Sequence, residues 1–285
     1  MVTAGSQSHR LGFLQGRLSP TVDGRIQAFP SDHWREEFAK AEAIGFTLME
    51  WTLDQDRLEQ NPLLTPDGRQ AIRQLSDSCG VRVPSVTGDC FMQAPLWKAS
   101  EDERVKLEVT FFSVIEACSD LGIQIAVVPL VDNGAIDDAA QELILIQFMT
   151  DNCDRLQELG VTIAFESDFA PDQLCKLIRK LPTSGFGINY DIGNSAALGY
   201  DPALEIGAYG ERIVNVHIKD RLAGGATVPL GTGAAQLERA VSLLLGQGYR
   251  GNFVLQTARA DDNDHLGVLS RYRDMTLPWI ERHEL

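Results

Sequence analysis

The chain has 285 residues, of which 44% are hydrophobic and 23% charged, enough apolar material for a sizeable core and too much for a disordered protein. With 25 basic against 40 acidic residues the net charge is −15, which opposes a phosphate backbone and argues against a nucleic-acid partner. No run of about 18 apolar residues is present to cross a bilayer, and Met1–Arg10 lacks the apolar segment of a signal peptide, so a cytoplasmic protein with no membrane partner is expected.

Residues 1–10 are expected to form a disordered tail. No Pro/Gly/Ser linker, composition break or low-complexity block divides the remainder, so 11–285 reads as one domain. Eight short β-branched or aromatic runs follow in chain order: Leu11–Gln15, Phe46–Trp51, Val81–Val86, Ile123–Val128, Val161–Glu166, Phe186–Asp191, Arg212–Ile218 and Gly251–Gln256. Several are almost continuously apolar, as parallel strands buried on both faces must be. Helix signals fill the intervals. Ser100 with Glu103, and Asp138 with Gln141, have capping-box spacing, and Thr65-Pro66 and Asp201-Pro202 put proline at the first helical position behind a good cap. Gly45, Gly80, Gly122 and Gly160 stand where helices should stop. Eight β-then-α units in a chain of this length predict an α/β fold, a (β/α)8 TIM barrel, since doubly wound open sheets more often stop at five or six strands. The five cysteines, at 79, 90, 118, 153 and 175, form no C-x-x-C pair and leave one over, the pattern of reduced thiols.

In such a barrel the chemistry lies at the strand C-termini, and most of the predicted strands end in ionisable or polar residues. Strand two ends in Glu50-Trp51, strand five in Glu166-Ser167-Asp168, strand six in Asp191-Ile192-Gly193-Asn194, strand seven in His217-Ile218-Lys219-Asp220 and strand eight in Gln256-Thr257-Ala258-Arg259. Any one of them reads equally well as a helix cap or a solvated loop charge. Their coincidence on four successive strands is what points to a shared cation, because burying several ionisable groups around one axis without one costs several kcal/mol each. Two carboxylates, an imidazole and an amide suit Mn²⁺ or Mg²⁺, with Zn²⁺ or Co²⁺ also compatible.

Met49-Glu50-Trp51, Val83-Pro84-Ser85, Ala164-Phe165-Glu166, Tyr190-Asp191-Ile192-Gly193-Asn194, Val214 to Asp220 and Val228-Pro229-Leu230-Gly231-Thr232-Gly233 occur in that order, and together they resemble the xylose-isomerase-like TIM-barrel superfamily. The similarity runs from about Leu11 to Arg259 and is greatest to the branch of L-ribulose-5-phosphate 3-epimerase and hexulose-6-phosphate isomerase. The resemblance implies that Glu166, Asp191 and His217 are metal ligands, with Mn²⁺ the first choice, and that a fourth ligand, a glutamate in the family, falls on Gln256. In the family the glutamates of strands five and eight move protons on opposite faces of the sugar. Glutamine can still coordinate through its amide oxygen but cannot act as a base, so it counts against the two-glutamate route.

The expected activity is therefore a divalent-metal-dependent sugar or sugar-phosphate isomerase or epimerase that works through an enediolate, with Glu166 as base. Either one base serves an aldose–ketose isomerisation, or Glu50 supplies the second proton of an epimerisation. Lys219 is expected to meet a substrate hydroxyl or the enediolate, Asp220 to orient Lys219, and Asn194 to contact substrate. Arg17 and Arg259 are candidates for a substrate anion, together with the backbone N–H groups of Gly231-Thr232-Gly233, and Trp51, with Phe91 and Trp97, for an apolar wall beside the sugar. The long segment Gly88–Ser100 has the composition of a lid. Related barrels associate, which implies a dimer or tetramer. A metal-dependent dehydratase of a keto-polyol and a non-catalytic sugar-binding relative stay open as alternatives. A DNA-repair endonuclease on the same fold does not, since it needs more histidines at strand ends and a basic face.

Overall fold

Each of the eight runs contributes one strand: β1 (Leu11–Leu14), β2 (Met49–Thr52), β3 (Ser85–Thr87), β4 (Ile125–Leu130), β5 (Thr162–Ser167), β6 (Phe186–Asp191), β7 (Ile213–Ile218) and β8 (Phe253–Leu255). In the computed structural model, which describes residues 10–282, they pair in parallel in sequence order and β8 closes on β1, completing the barrel. The helices α1 (Glu36–Ala43), α2 (Pro66–Cys79), α3 (Asp89–Gln93), α4 (Glu101–Leu121), α5 (Ala139–Asp151), α6 (Cys153–Leu159), α7 (Pro171–Ile178), α8 (Ile192–Ala197), α9 (Pro202–Tyr209), α10 (Leu237–Gly246) and α11 (His265–Glu281) fill the connections. Residues 1–9 of the expected tail lie outside the described residues. Arg10 does not behave as tail, because its carbonyl accepts the Phe253 N–H at 2.8 Å and its guanidinium bonds the Gly251 carbonyl.

The capping signals act as read. Thr65 accepts the Gly68 N–H, Asp201 that of Ala203, Asp138 those of Ala140 and Gln141, and Ser100 with Glu103 forms a capping box. β1, β2, β3, β7 and β8 are shorter than their apolar runs, β4 and β5 are shifted by one or two residues, and β6 coincides with its run. Pro84 has no N–H to give a ladder, so Val81–Pro84 reaches the sheet only through a single bridge, Leu48 to Arg82, and β3 starts at Ser85. All five cysteines are free thiols.

Outside the sheet the core is aromatic. Trp34 packs edge-on against Trp51, with ring centroids 5.5 Å apart, and Phe111 gathers Phe91, Phe112 and Phe148 beneath α4 and α5. Emptying one such position costs about 3–5 kcal/mol. Cys90, Phe91, Leu96 and Trp97 are all buried, so Gly88–Ser100 is anchored in this core by its apolar side chains and lacks the loose packing of a lid. No helix of the described residues is long and apolar enough to cross a membrane.

Candidate active site

Strand geometry decides what faces the barrel axis. Side chains alternate along a strand, so Asn189 and Asp191 of β6 share a face, as do Asn215 and His217 of β7. A register shift between Ile188 and Asn189 sets Asn189 against Asn215 and Asp191 against His217. Glu50 of β2 bonds Asn215 and His217 of β7, and because those two strands are not neighbours the contact runs through the barrel interior. Gly193 lets α8 start against β7, since a Cβ there would stand 2.8 Å from the Lys219 carbonyl oxygen.

At the C-terminal mouth Glu166, Asp191 and His217 each offer one donor atom within 4.8 Å of the others, and all three are buried. Glu166 Oε2 lies 3.3 Å from His217 Nδ1 and accepts Asn189 Nδ2 at 2.7 Å, while its other oxygen accepts Asn194 Nδ2 at 2.8 Å. Asp191 Oδ1 caps α8 through the Asn194 N–H, and Asp191 Oδ2 lies 3.3 Å from Lys219 Nζ. His217 Nε2 lies 2.6 Å from Glu50 Oε1.

Burial alone would lower the His217 pKa, but the charge of Glu50 and the contact with Glu166 override it and raise it to about 10. The imidazole therefore holds a proton between two carboxylates. Burial pushes Glu50 and Glu166 up, and their pairing with His217 more than reverses it, leaving both below the ordinary carboxylate value. Asp191 is raised by burial, against the opposing charge of Lys219. Two carboxylates and an imidazole nitrogen form a donor set that fits a divalent ion such as Mn²⁺, Mg²⁺ or Zn²⁺. The carboxylate behind His217 is the partner that orients a metal-bound imidazole.

Gln256 stands beside this cluster, its amide oxygen accepting Lys219 Nζ at 3.0 Å and its amide nitrogen donating to Gln27 Oε1 at 3.0 Å. Asn194 binds Glu166 and is itself held by Arg221 Nη1 at 2.9 Å, so it positions the carboxylate instead of facing a substrate. Glu50 lies outside the Glu166–Asp191–His217 cluster, on the Nε2 side of His217, with its oxygens bonded to Ser85, Thr87, Asn215 and His217; it backs the imidazole and does not take the proton-supplying position expected at the sugar. Trp51 follows Glu50 and so points the other way, into the outer aromatic core, with its indole N–H on Asn61; it is not a sugar wall. Arg17 bonds the carbonyls of Thr257 and Ile26, and Arg259 those of Gly16 and Ser19, so both guanidiniums brace the loops after β8 and β1 instead of facing an anion. Asp220 does not touch Lys219. It accepts the N–H groups of Ala235 and of Gly231 and Gly233, the last two among the donors expected to hold a phosphate, and a Cβ at Gly233 would collide with it.

The sequence reading missed Asn189, Asn215, Arg221, Gln27 and Asp89. Asn189 and Asn215 had a signal, being polar residues two positions before Asp191 and His217 in otherwise apolar runs. Gln27, in an irregular loop, had none. Asp89, two residues beyond β3, was absorbed into the expected lid.

Comparison with known proteins agrees with the barrel fold. Residues 38–272 match the family described as xylose isomerase-like TIM barrel. The chain is 28% identical over 261 residues to an L-ribulose-5-phosphate 3-epimerase from Salmonella paratyphi A, covering 87% of this chain and 89% of that one. Among solved structures it resembles a xylose isomerase-like TIM barrel protein from Mycobacterium smegmatis in complex with magnesium (TM-score 0.69, 17% identity, 95% and 97% of the two chains). It also resembles the IOLI protein with a bound zinc atom (TM-score 0.75, 16% identity, 96% and 98%).

Proposed function

Because the chain belongs to the xylose isomerase-like TIM barrel family, we propose that it is a divalent-metal-dependent isomerase or epimerase of a ketose or ketose phosphate, with Glu166 as the base. The observation that carries this is the convergence of Glu166, Asp191 and His217 at the barrel mouth, with His217 backed by Glu50. The similarity to an L-ribulose-5-phosphate 3-epimerase supports the substrate class.

Glu166, Asp191 and His217 would hold the cation, Mn²⁺ by our assignment, and when bound it supplies Lewis acidity toward the carbonyl and neighbouring hydroxyl of the sugar. Glu166 takes the proton from the acidified carbon, giving an enediolate. Asn189 and Asn194 hold its two oxygens, and Arg221 holds Asn194, so the base is fixed before substrate arrives. Lys219 Nζ, beside Asp191 and Gln256, would donate to the oxygen that gains charge. Glu50 keeps the His217 ring in one orientation.

The test is solvent exchange. The protein with Mn²⁺ is incubated in D₂O with a panel of ketopentoses and ketohexoses, free and terminally phosphorylated, L-ribulose 5-phosphate among them. Deuterium next to the carbonyl is expected in at least one sugar, with Glu166→Gln slowing it by about 10²–10⁴-fold. Absence of exchange in every sugar would overturn the reading.

A further inference from the structure

Gln256 leaves the site with one evident base, and an epimerisation needs a second group able to exchange a proton with the carbon from another side. We propose that Asp89 is that group: a catalytic acid at the mouth that reprotonates the carbon from the side away from Glu166. The proposal rests on the functional reading above and adds the stereochemical outcome, epimerisation of a ketose, to it.

Three features single out Asp89. First, its position: it opens α3 just past β3, separated from Glu166 on β5 by the whole of β4, and it is buried. Second, its connection to the site: Asp89 Oδ2 accepts Gln27 Nε2 at 2.6 Å, Gln27 Oε1 accepts Gln256 Nε2 at 3.0 Å, and Gln256 Oε1 accepts Lys219 Nζ at 3.0 Å. Three hydrogen bonds thus lead from Asp89 to the lysine beside Asp191. Gln256 has lost the charge of a glutamate but keeps a place in the hydrogen-bonded line that fixes the other acid. Third, its freedom: among the described residues Asp89 accepts a single side-chain hydrogen bond, from a neutral amide. Glu50 is filled by four donors and Asp220 by three backbone N–H groups, while the oxygens of nearby Asp54 are taken by the Phe29 N–H and Gln93.

The electrostatics agree with that role. Burial, with the nearby charges of Asp54 and Glu166, pushes the Asp89 pKa up to about 7, against the Gln27 hydrogen bond and the charge of Lys219. A carboxyl titrating near neutrality is protonated often enough to donate and ionised often enough to accept. The step balances without another reactant. Glu166 removes the hydrogen as a proton, and the C–H electron pair enters the enediolate. Asp89 then delivers its own proton to the same carbon from the other side and becomes a carboxylate. Glu166 loses and Asp89 regains a proton through water.

The experiment compares wild type, Asp89→Asn and Glu166→Gln, each with Mn²⁺, in D₂O with the panel sugar that wild type exchanges fastest. Epimer formation and deuterium in the recovered, uninverted sugar are measured separately. Asp89→Asn is expected to slow epimer formation at least about 100-fold while exchange into the recovered sugar stays within about threefold, because Glu166 still removes the proton and returns one on its own side. Glu166→Gln should lose both. Near-UV circular dichroism and Mn²⁺ affinity unchanged in Asp89→Asn would exclude a folding defect as the cause. Equal loss of both activities, or loss of neither, overturns the assignment. Exchange with aldose but no epimer from wild type overturns it while leaving the functional reading intact; no exchange from wild type with any sugar sinks both.

Discussion

Two parts of the same barrel mouth carry ionisable strand-end residues and use them in opposite ways. At β5–β7, Glu166, Asp191 and His217 converge on a common space. At β8–β1, Arg17 and Arg259 are given over to loop carbonyls, and the buried Glu37 of α1 accepts the N–H groups of Gly16 at 2.8 Å and Leu18 at 2.8 Å. A charge at a strand end is therefore available for chemistry only where the local backbone leaves part of it unclaimed, as it leaves Asp191 Oδ2. At the end of β6 the Asn194 N–H takes one oxygen of Asp191, and the other stays turned to the cluster. The irregular turn after β1 leaves N–H and C=O groups that must find partners, and the nearest charges satisfy them.

The sharpest way to break this contrast is to remove one charge from each part. His217→Ala leaves Glu50 buried without its cation and is expected to cost about 3–5 kcal/mol in urea unfolding and to abolish measurable Mn²⁺ binding. Glu37→Ala orphans two buried N–H groups and opens a cavity, for about 3 kcal/mol, yet should leave Mn²⁺ affinity within about threefold of wild type. Loss of metal binding in Glu37→Ala would show that the two parts are one unit.

Glu50→Gln probes the group beneath the cluster. If Glu50 orients His217 and does not serve the substrate, Mn²⁺ affinity falls about 10–100-fold by calorimetry. Exchange at saturating Mn²⁺ should recover most of its wild-type rate, and a rate that stays low would return Glu50 to the proton-transfer role.

The β5–β7 part was legible in the sequence because strand alternation and strand-end position together fix where Glu166, Asp191 and His217 point. The misreadings have equally physical causes. The apolar run Phe46–Trp51 was read as ending at Trp51, which puts Glu50 at the mouth. The strand in fact continues to Thr52, which sets Glu50 a layer deeper, where it meets Ser85 and Asn215. Arg17, Arg259 and Asp220 had the right residue types in the right loops, but a one-dimensional pattern does not record which carbonyl or N–H a loop turns toward a side chain. Asp89 and Gln27 matter through a contact between two loops 62 residues apart, which no local period announces.

The proton on His217 gives the metal centre a pH dependence of its own. With its pKa raised to about 10, the imidazole is protonated at neutral pH, and a cation can use Nδ1 only after displacing that proton. Raising the pH therefore favours binding. Apparent Mn²⁺ affinity should strengthen about tenfold per unit between roughly pH 6 and 8, with about one proton released per ion in calorimetry across buffers of different ionisation enthalpy. A flat profile would mean that the ion does not use the imidazole.

The smallest effect is expected at Asp220, and it separates the two uses of charge most finely. The Gly231 and Gly233 N–H groups look like a phosphate cradle in sequence, yet both point at Asp220 Oδ2 at 2.9 Å. A phosphate placed there would meet a carboxylate already holding its donors, and two anions so close repel. Asp220→Asn keeps the shape but turns one acceptor oxygen into an NH2 donor, leaving at least one loop N–H, that of Ala235 if the amide oxygen takes the Oδ2 place, without its partner, for about 1–3 kcal/mol of stability. Because the loop serves the fold, the ratio of kcat/KM for a phosphorylated ketose to that for its free counterpart should change by less than about twofold. A rise of tenfold or more would mean that removing the carboxylate charge had opened the loop to phosphate, and the line between structural and chemical charges at this mouth would have to be redrawn through Asp220.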